Sequence, residues 1–211
     1  MSKADPQDPA NWPPEFKARV ERIQREYQTD EAPRSKGITK ADMEFKEGES
    51  AAIGIVATEE CDREAESVVM KGMDLREFRA NPVVLFNHDN FDDFPIGRCD
   101  WIKPDTADGI PVLKAKTVFS KKTAQGQDAF ALMQEGILRS FSIRFMPLRG
   151  EVRPPTADDV KAQPWMKGAS SVVWKSVAME YSVVSLPMNA GALVEAVSKG
   201  MVRDPQLLDA F

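Results

Sequence analysis

The chain has 211 residues, with 28 Lys plus Arg against 33 Asp plus Glu and a net charge of −5, which argues against a general nucleic-acid binder. Hydrophobic residues make up 42% and charged residues 29%, an ordinary globular composition, and no run approaches the ~18 apolar residues of a membrane helix. One histidine and two cysteines exclude paired-histidine, HExxH, Cys2His2 and four-thiolate metal sites.

The N-terminus, MSKADPQDPANWPPEF, lacks the apolar stretch of a signal peptide, so a reducing, intracellular compartment is the expectation. Four prolines, Pro6, Pro9, Pro13 and Pro14, precede a helix predicted over 15–28. There Phe16, Val20, Ile23 and Tyr27 form a narrow apolar stripe, and Pro14 suits a helix start. The stripe packs either on its own domain or on a partner subunit. Residues 28–49 are mostly polar, poor material for a core and a candidate nicking segment. Composition therefore divides the chain into a polar arm with a short amphipathic helix over 1–49, a folded domain over 50–200 and a tail over 201–211.

Strands are predicted over 51–58, 67–70, 83–86, 96–103 and 110–119, with a short helix over 73–79 that must stop before Pro82. In 110–119, Leu113, Ala115, Thr117 and Phe119 alternate with Lys114 and Lys116, the pattern of a half-buried strand. The preceding PDTADG is turn chemistry. Ser120 is expected to cap a helix running to about Glu135, with Phe130 and Met133 inward and Gly136 as its stop. A strand over 138–148, a long polar loop over 150–169 that is a second candidate nicking segment, an extended segment over 172–186 and a last helix from an Asn189 cap to Gly200 follow. About seven strands, three or four helices and no βαβα alternation give an α+β class, mainly β, with an antiparallel sheet or barrel flanked by helices.

Three segments carry candidate chemistry. His88, in FNHDN, stands just past the apolar run 83–86, and as the sole histidine it is the only imidazole base available. Asp89, Asp92 and Asp93 nearby lack the spacing of an EF-hand loop. In LRSFSIRF, residues 138–145, alternation puts Phe141, Ile143 and Phe145 on one face and Ser140, Ser142 and Arg144 on the other. A serine hydroxyl needs a base to take its proton, and only His88 can be a histidine base for Ser142. There is no GxSxG elbow. Glu180 interrupts AMEYSVV, with Ala178, Ser182 and Val184 on its face. It is either an ion-paired strand charge or the carboxylate that orients the imidazole of His88. Thiolate chemistry at Cys61 or Cys99 is disfavoured, because one lies among acidic residues and the other in a strand.

In order and character, NHDNFDDFPIG, EGILRSFSIRF and MEYSVVSLPMNAGA resemble elements of the prohead (capsid maturation) protease family of tailed phages, over about residues 50–200. The resemblance implies a serine protease with His88 as base, Ser142 as nucleophile and Glu180 as third member. It also implies an antiparallel β-barrel of about seven strands flanked by helices, related in fold to herpesvirus capsid proteases. Those relatives use a second histidine as third member. This chain has none, so an acid must serve. Substrates would be the scaffold protein or the scaffold region of the major capsid protein, inside the bacteriophage prohead in the host cytoplasm, and then the enzyme itself by autocleavage. No cofactor, metal, nucleic acid or membrane enters this picture, and a homodimer is expected by analogy. Arg144 stands where the family commonly has glycine and is a candidate oxyanion helper. The alternative is a catalytically inactive capsid-assembly or scaffolding protein that keeps the protease fold.

Overall fold

The computed structural model describes residues 9–38, 43–45, 48–62, 64–89 and 94–185. In chain order the elements are α1 (Pro14–Glu26), β1 (Arg34–Ile38), β2 (Glu44–Phe45), β3 (Ala51–Thr58), β4 (Glu66–Val68), β5 (Met73–Asp74), α2 (Arg76–Ala80), β6 (Val83–Phe86), β7 (Gly97–Ala107), β8 (Ile110–Phe119), α3 (Ala124–Gln134), β9 (Ser140–Pro147), β10 (Val152–Arg153), α4 (Ala157–Ala162), β11 (Ser171–Val173) and β12 (Ser176–Val184). None of these helices is long and apolar enough to cross a membrane.

The fold is mixed α+β and mainly β. One sheet runs β1-β9-β12-β6-β7-β8-β3-β2, with β5 beside β12, and a smaller one runs β10-β11-β4. The eight strands of the first path curl into an open half-barrel, not the closed barrel of about seven strands expected from the sequence. Its two end strands, of five and two residues, are joined by no ladder. Three pairings, β5–β12, β6–β12 and β4–β11, are parallel.

One face of the curled sheet holds the main core. Phe141, Ile143 and Phe145 of β9 meet Tyr181 and Val183 of β12, and Phe78 of α2 and Met133 of α3 join the same cluster. Buried Tyr181 keeps its hydroxyl satisfied through Thr117, 2.8 Å away.

The predicted stripe of α1 packs on the chain's own sheet. Phe16, Val20 and Ile23 bury against Met146, Val177 and Met179 on the opposite side from the main core. Arg19 and Arg22 then hold Glu77 of α2 at 2.9 and 2.6 Å.

Several expectations change. Segment 28–49 supplies an edge strand, and in β1 the fully buried Lys36 donates to the carbonyls of Glu60 and Glu66 at 2.7 and 3.1 Å and to Asp62 at 3.3 Å. Three ammonium protons thus meet three oxygens, which is how a lysine comes to lie inside. Segment 73–79 divides, because Met73 and Asp74 pair with Ser176 and Val177 before the helix begins. Thr123, not Ser120, caps α3, and Ser120 accepts from the amides of Lys122 and Thr123. The loop 150–169 is structured: Thr156 and Asp159 form a capping box for α4, Trp165 donates to Glu59 at 3.1 Å and Met166 is buried. The hairpin turn narrows to Asp108 and Gly109, both at positive φ, the conformation an Asp-Gly pair favours. The helix expected over 189–200 lies outside the described residues.

Candidate active site

Strands β9 and β12 lie side by side with Ser142 opposite Ser182 and Arg144 opposite Glu180. Register partners share a face, so all four stand on the side that α1 covers, where the Arg144 guanidinium sits 5.4 Å from the Phe16 ring. On the other flank of β9 the residue opposite Ser142 is Gly37 of β1, which brings no side chain.

Strict alternation predicts Ala178 beside Glu180, and a register shift between these residues overturns it. Ala178 pairs with Phe145 in the main core, whereas the extra residue, Met179, joins the α1 cluster. This bulge turns Glu180 away from the main core and toward Arg144.

His88 reaches the same face by a different device. Strand β6 runs parallel to β12, with Leu85 opposite Ser182 and Phe86 opposite Val183. Beyond it, Asn87 and His88 have φ of 52° and 58°, a left-handed pair that costs roughly 1–3 kcal/mol per residue when side chains are present. Hydrogen bonds from β12 hold the pair. The Asn87 amide donates to the carbonyl of Val183 at 2.9 Å, and the His88 amide donates to the hydroxyl of Ser182 at 3.1 Å. The Asn87 carboxamide oxygen accepts from the amide and hydroxyl of Ser185 at 3.0 and 3.2 Å.

The imidazole Nδ1 of His88 lies 2.5 Å from Glu180 Oε1, the Ser182 hydroxyl donates to Oε2 at 3.0 Å, and Arg144 Nε stands 3.6 Å from Oε1. Glu180 is 1% exposed. Burial alone would raise its carboxyl, but the charge and hydrogen bond of His88, then Arg144 and Ser182, outweigh it and hold the group below the usual carboxylate range. Burial lowers the Arg144 guanidinium, against the pull of Glu180.

His88, Ser182 and Glu180 therefore contact one another, Arg144 joins them through Glu180, and Ser142 occupies the adjoining register position. Both Ser142 Oγ and His88 Nε2 are buried and, among the described residues, without a hydrogen-bond partner. In the neutral imidazole, a carboxylate on Nδ1–H leaves Nε2 the lone pair that can accept a proton, and a hydroxyl with no acceptor is one able to give it. No bond joins them here. Such bonds are often long before substrate binds.

Arg144 faces the carboxylate side of the site, between Glu180 and Phe16. The thiols stay protonated: burial pushes Cys61 upward, and Cys99 up to about 11. Of the acidic loop, Asp92 and Asp93 lie outside the described residues. Sequence reasoning missed Asn87 as a turn anchor and Ser182 as the link between His88 and Glu180. The only available signal was a serine two residues beyond the acid. No family model matches the chain, and no curated protein or solved structure matches it.

Proposed function

We propose that the protein is a serine endopeptidase of phage capsid maturation. It would cut the scaffold protein or the scaffold region of the major capsid protein, and then itself. The observation that carries this reading is the pair of buried, unpartnered atoms Ser142 Oγ and His88 Nε2, with the other ring nitrogen of His88 on the Glu180 carboxylate. The three sequence segments quoted above supply the substrate class, the kinship in fold with herpesvirus capsid proteases and the homodimer.

In this mechanism Ser142 Oγ attacks the scissile carbonyl while its proton passes to His88 Nε2. The imidazolium, held by Glu180, gives that proton to the leaving amine, and an acyl-enzyme remains. Water, deprotonated by the same imidazole, releases the acyl group and restores the serine. Arg144 steadies the charge of Glu180.

Co-expression with a capsid or scaffold substrate tests the reading. Ser142→Ala and His88→Ala should abolish processing while the circular dichroism spectrum is kept; processing by folded Ser142→Ala protein would sink the assignment. One observation favours the second reading, a catalytically silent assembly protein: Ser142 is only 2% exposed. Intact mass followed over days at high concentration separates the two. Trimming that Ser142→Ala prevents marks the enzyme, and an unchanged mass marks the assembly protein.

A further inference from the structure

Glu180, Ser182 and His88 close a ring of hydrogen bonds. One carboxylate oxygen takes the imidazole Nδ1, and the other takes the Ser182 hydroxyl proton, while the oxygen of that hydroxyl accepts the backbone amide of His88. Ser182 is fully buried, and its hydroxyl spends its single proton and one lone pair inside this ring. A lone Nδ1 contact would leave the imidazole free to pivot about the carboxylate. The second path, through Ser182, fixes the backbone from which the ring projects.

The same hydroxyl answers a second need. The His88 amide belongs to a left-handed residue just past the end of β6, so no strand ladder supplies its acceptor, and an unpaired buried amide costs about 1–3 kcal/mol. Strained backbone of this kind persists only where its surroundings over-determine it, and β12 provides that through Ser182 and Val183, with Ser185 just past its end.

We infer that Ser182 is a positioning residue, which ties the Glu180 carboxylate to the main chain of His88 and so sets where Nε2 points. Its consequence for rate rests on the peptidase reading above; its consequence for the imidazole does not.

Nuclear magnetic resonance on 15N-labelled protein tests this directly, since one histidine gives one set of ring signals. In the unaltered chain the ring proton should sit on Nδ1 and exchange slowly, and the His88 amide should be protected. In Ser182→Ala, and in the near-isosteric Ser182→Cys, Nδ1 proton exchange should be about tenfold or more faster, the scale of one lost hydrogen bond. Peptide hydrolysis should lose about 10–100-fold in kcat with KM changed by less than about twofold. A folded variant with unchanged Nδ1 exchange overturns the inference. Should neither variant fold, the unaltered protein still decides, because a His88 amide exchanging like an exposed one contradicts the Ser182 bond. Absence of peptidase activity in every form would remove the proposed function, while the ring and amide signals would still report on Ser182.

Discussion

Arg19 donates from Nη2 to the main-chain oxygen of Met179 at 2.6 Å. Met179 is the extra residue of the β12 bulge, and Glu180 follows it, so a helix of the N-terminal segment holds the one irregularity that sets the direction of the acid. Arg19→Ala should cost about 1–3 kcal/mol through the freed carbonyl and the loosened Glu77. On the peptidase reading proposed above it should also slow substrate cleavage more than it lowers substrate binding. Urea unfolding and steady-state kinetics read the two effects, and an unchanged midpoint would mean that strand pairing alone keeps the bulge.

Packing of α1 gives a second expectation. Ile23 is 0% exposed between Val177 and its neighbours, so Ile23→Ala should destabilise by about 2–5 kcal/mol, and Ile23→Val by about 0.5–1.5. Exposed Glu15→Ala should stay within about 0.5 kcal/mol. Equal midpoints for all three proteins would show that the helix is not docked.

Lys36 makes a prediction with a sign. Burial lowers its ammonium below the ordinary 10.5, against the opposing pull of Asp62. The unfolded chain then binds more protons than the folded one between the lowered value and 10.5, so stability rises with pH across that window. Unfolding free energies of the unaltered protein minus those of Lys36→Met should climb as pH approaches 10.5. A flat difference refutes it. Lys36→Ala, which also leaves a hole, should cost roughly 3–5 kcal/mol near neutrality.

Glu180 behaves in the opposite sense. Its folded carboxyl lies below the ordinary 4.5, so its stabilisation is fully present above that value and is lost as pH falls through the folded value. Compared with Glu180→Gln, the unaltered protein should lose more stability on acidification in that range. Parallel acid profiles by thermal unfolding would mean that the carboxylate is not held by His88 and Arg144.

Strands with apolar alternation or β-branched runs were legible to the residue: 51–58, 83–86 and 110–119 begin and end as read. There local pattern and burial agree. The apolar stripe of α1 was legible for the same reason, although only the fold decides which surface it meets. Strand β1 was not, because its inward residue is a lysine and the oxygens that make this tolerable come from Glu60, Asp62 and Glu66, 24 to 30 positions away. The loop 150–169 hid its structure likewise, since Met166 is buried and Trp165 binds Glu59 across the chain. At the candidate site, His88 was visible as the sole imidazole just past an apolar strand, Ser142 as a hydroxyl on the polar face of an alternating strand, and Glu180 as a charge interrupting an apolar one. The bulge was not, since a one-residue slip follows from how β9 and α1 seat β12, and composition carries no trace of that.

Strand β12 lies between β9 and β6, so the last-synthesised of the three strands bearing the candidate residues occupies the middle position. His88 and Ser142 emerge first, one just past β6 and the other on β9, and the two are bridged only once the chain has been made through Val184 and inserted between those strands. Assembly of the site is therefore a late event of biosynthesis, fixed by topology. A chain cut short before Glu180 would carry both the imidazole and the hydroxyl yet hold them apart, so any activity should switch on only after nearly the whole sheet has formed.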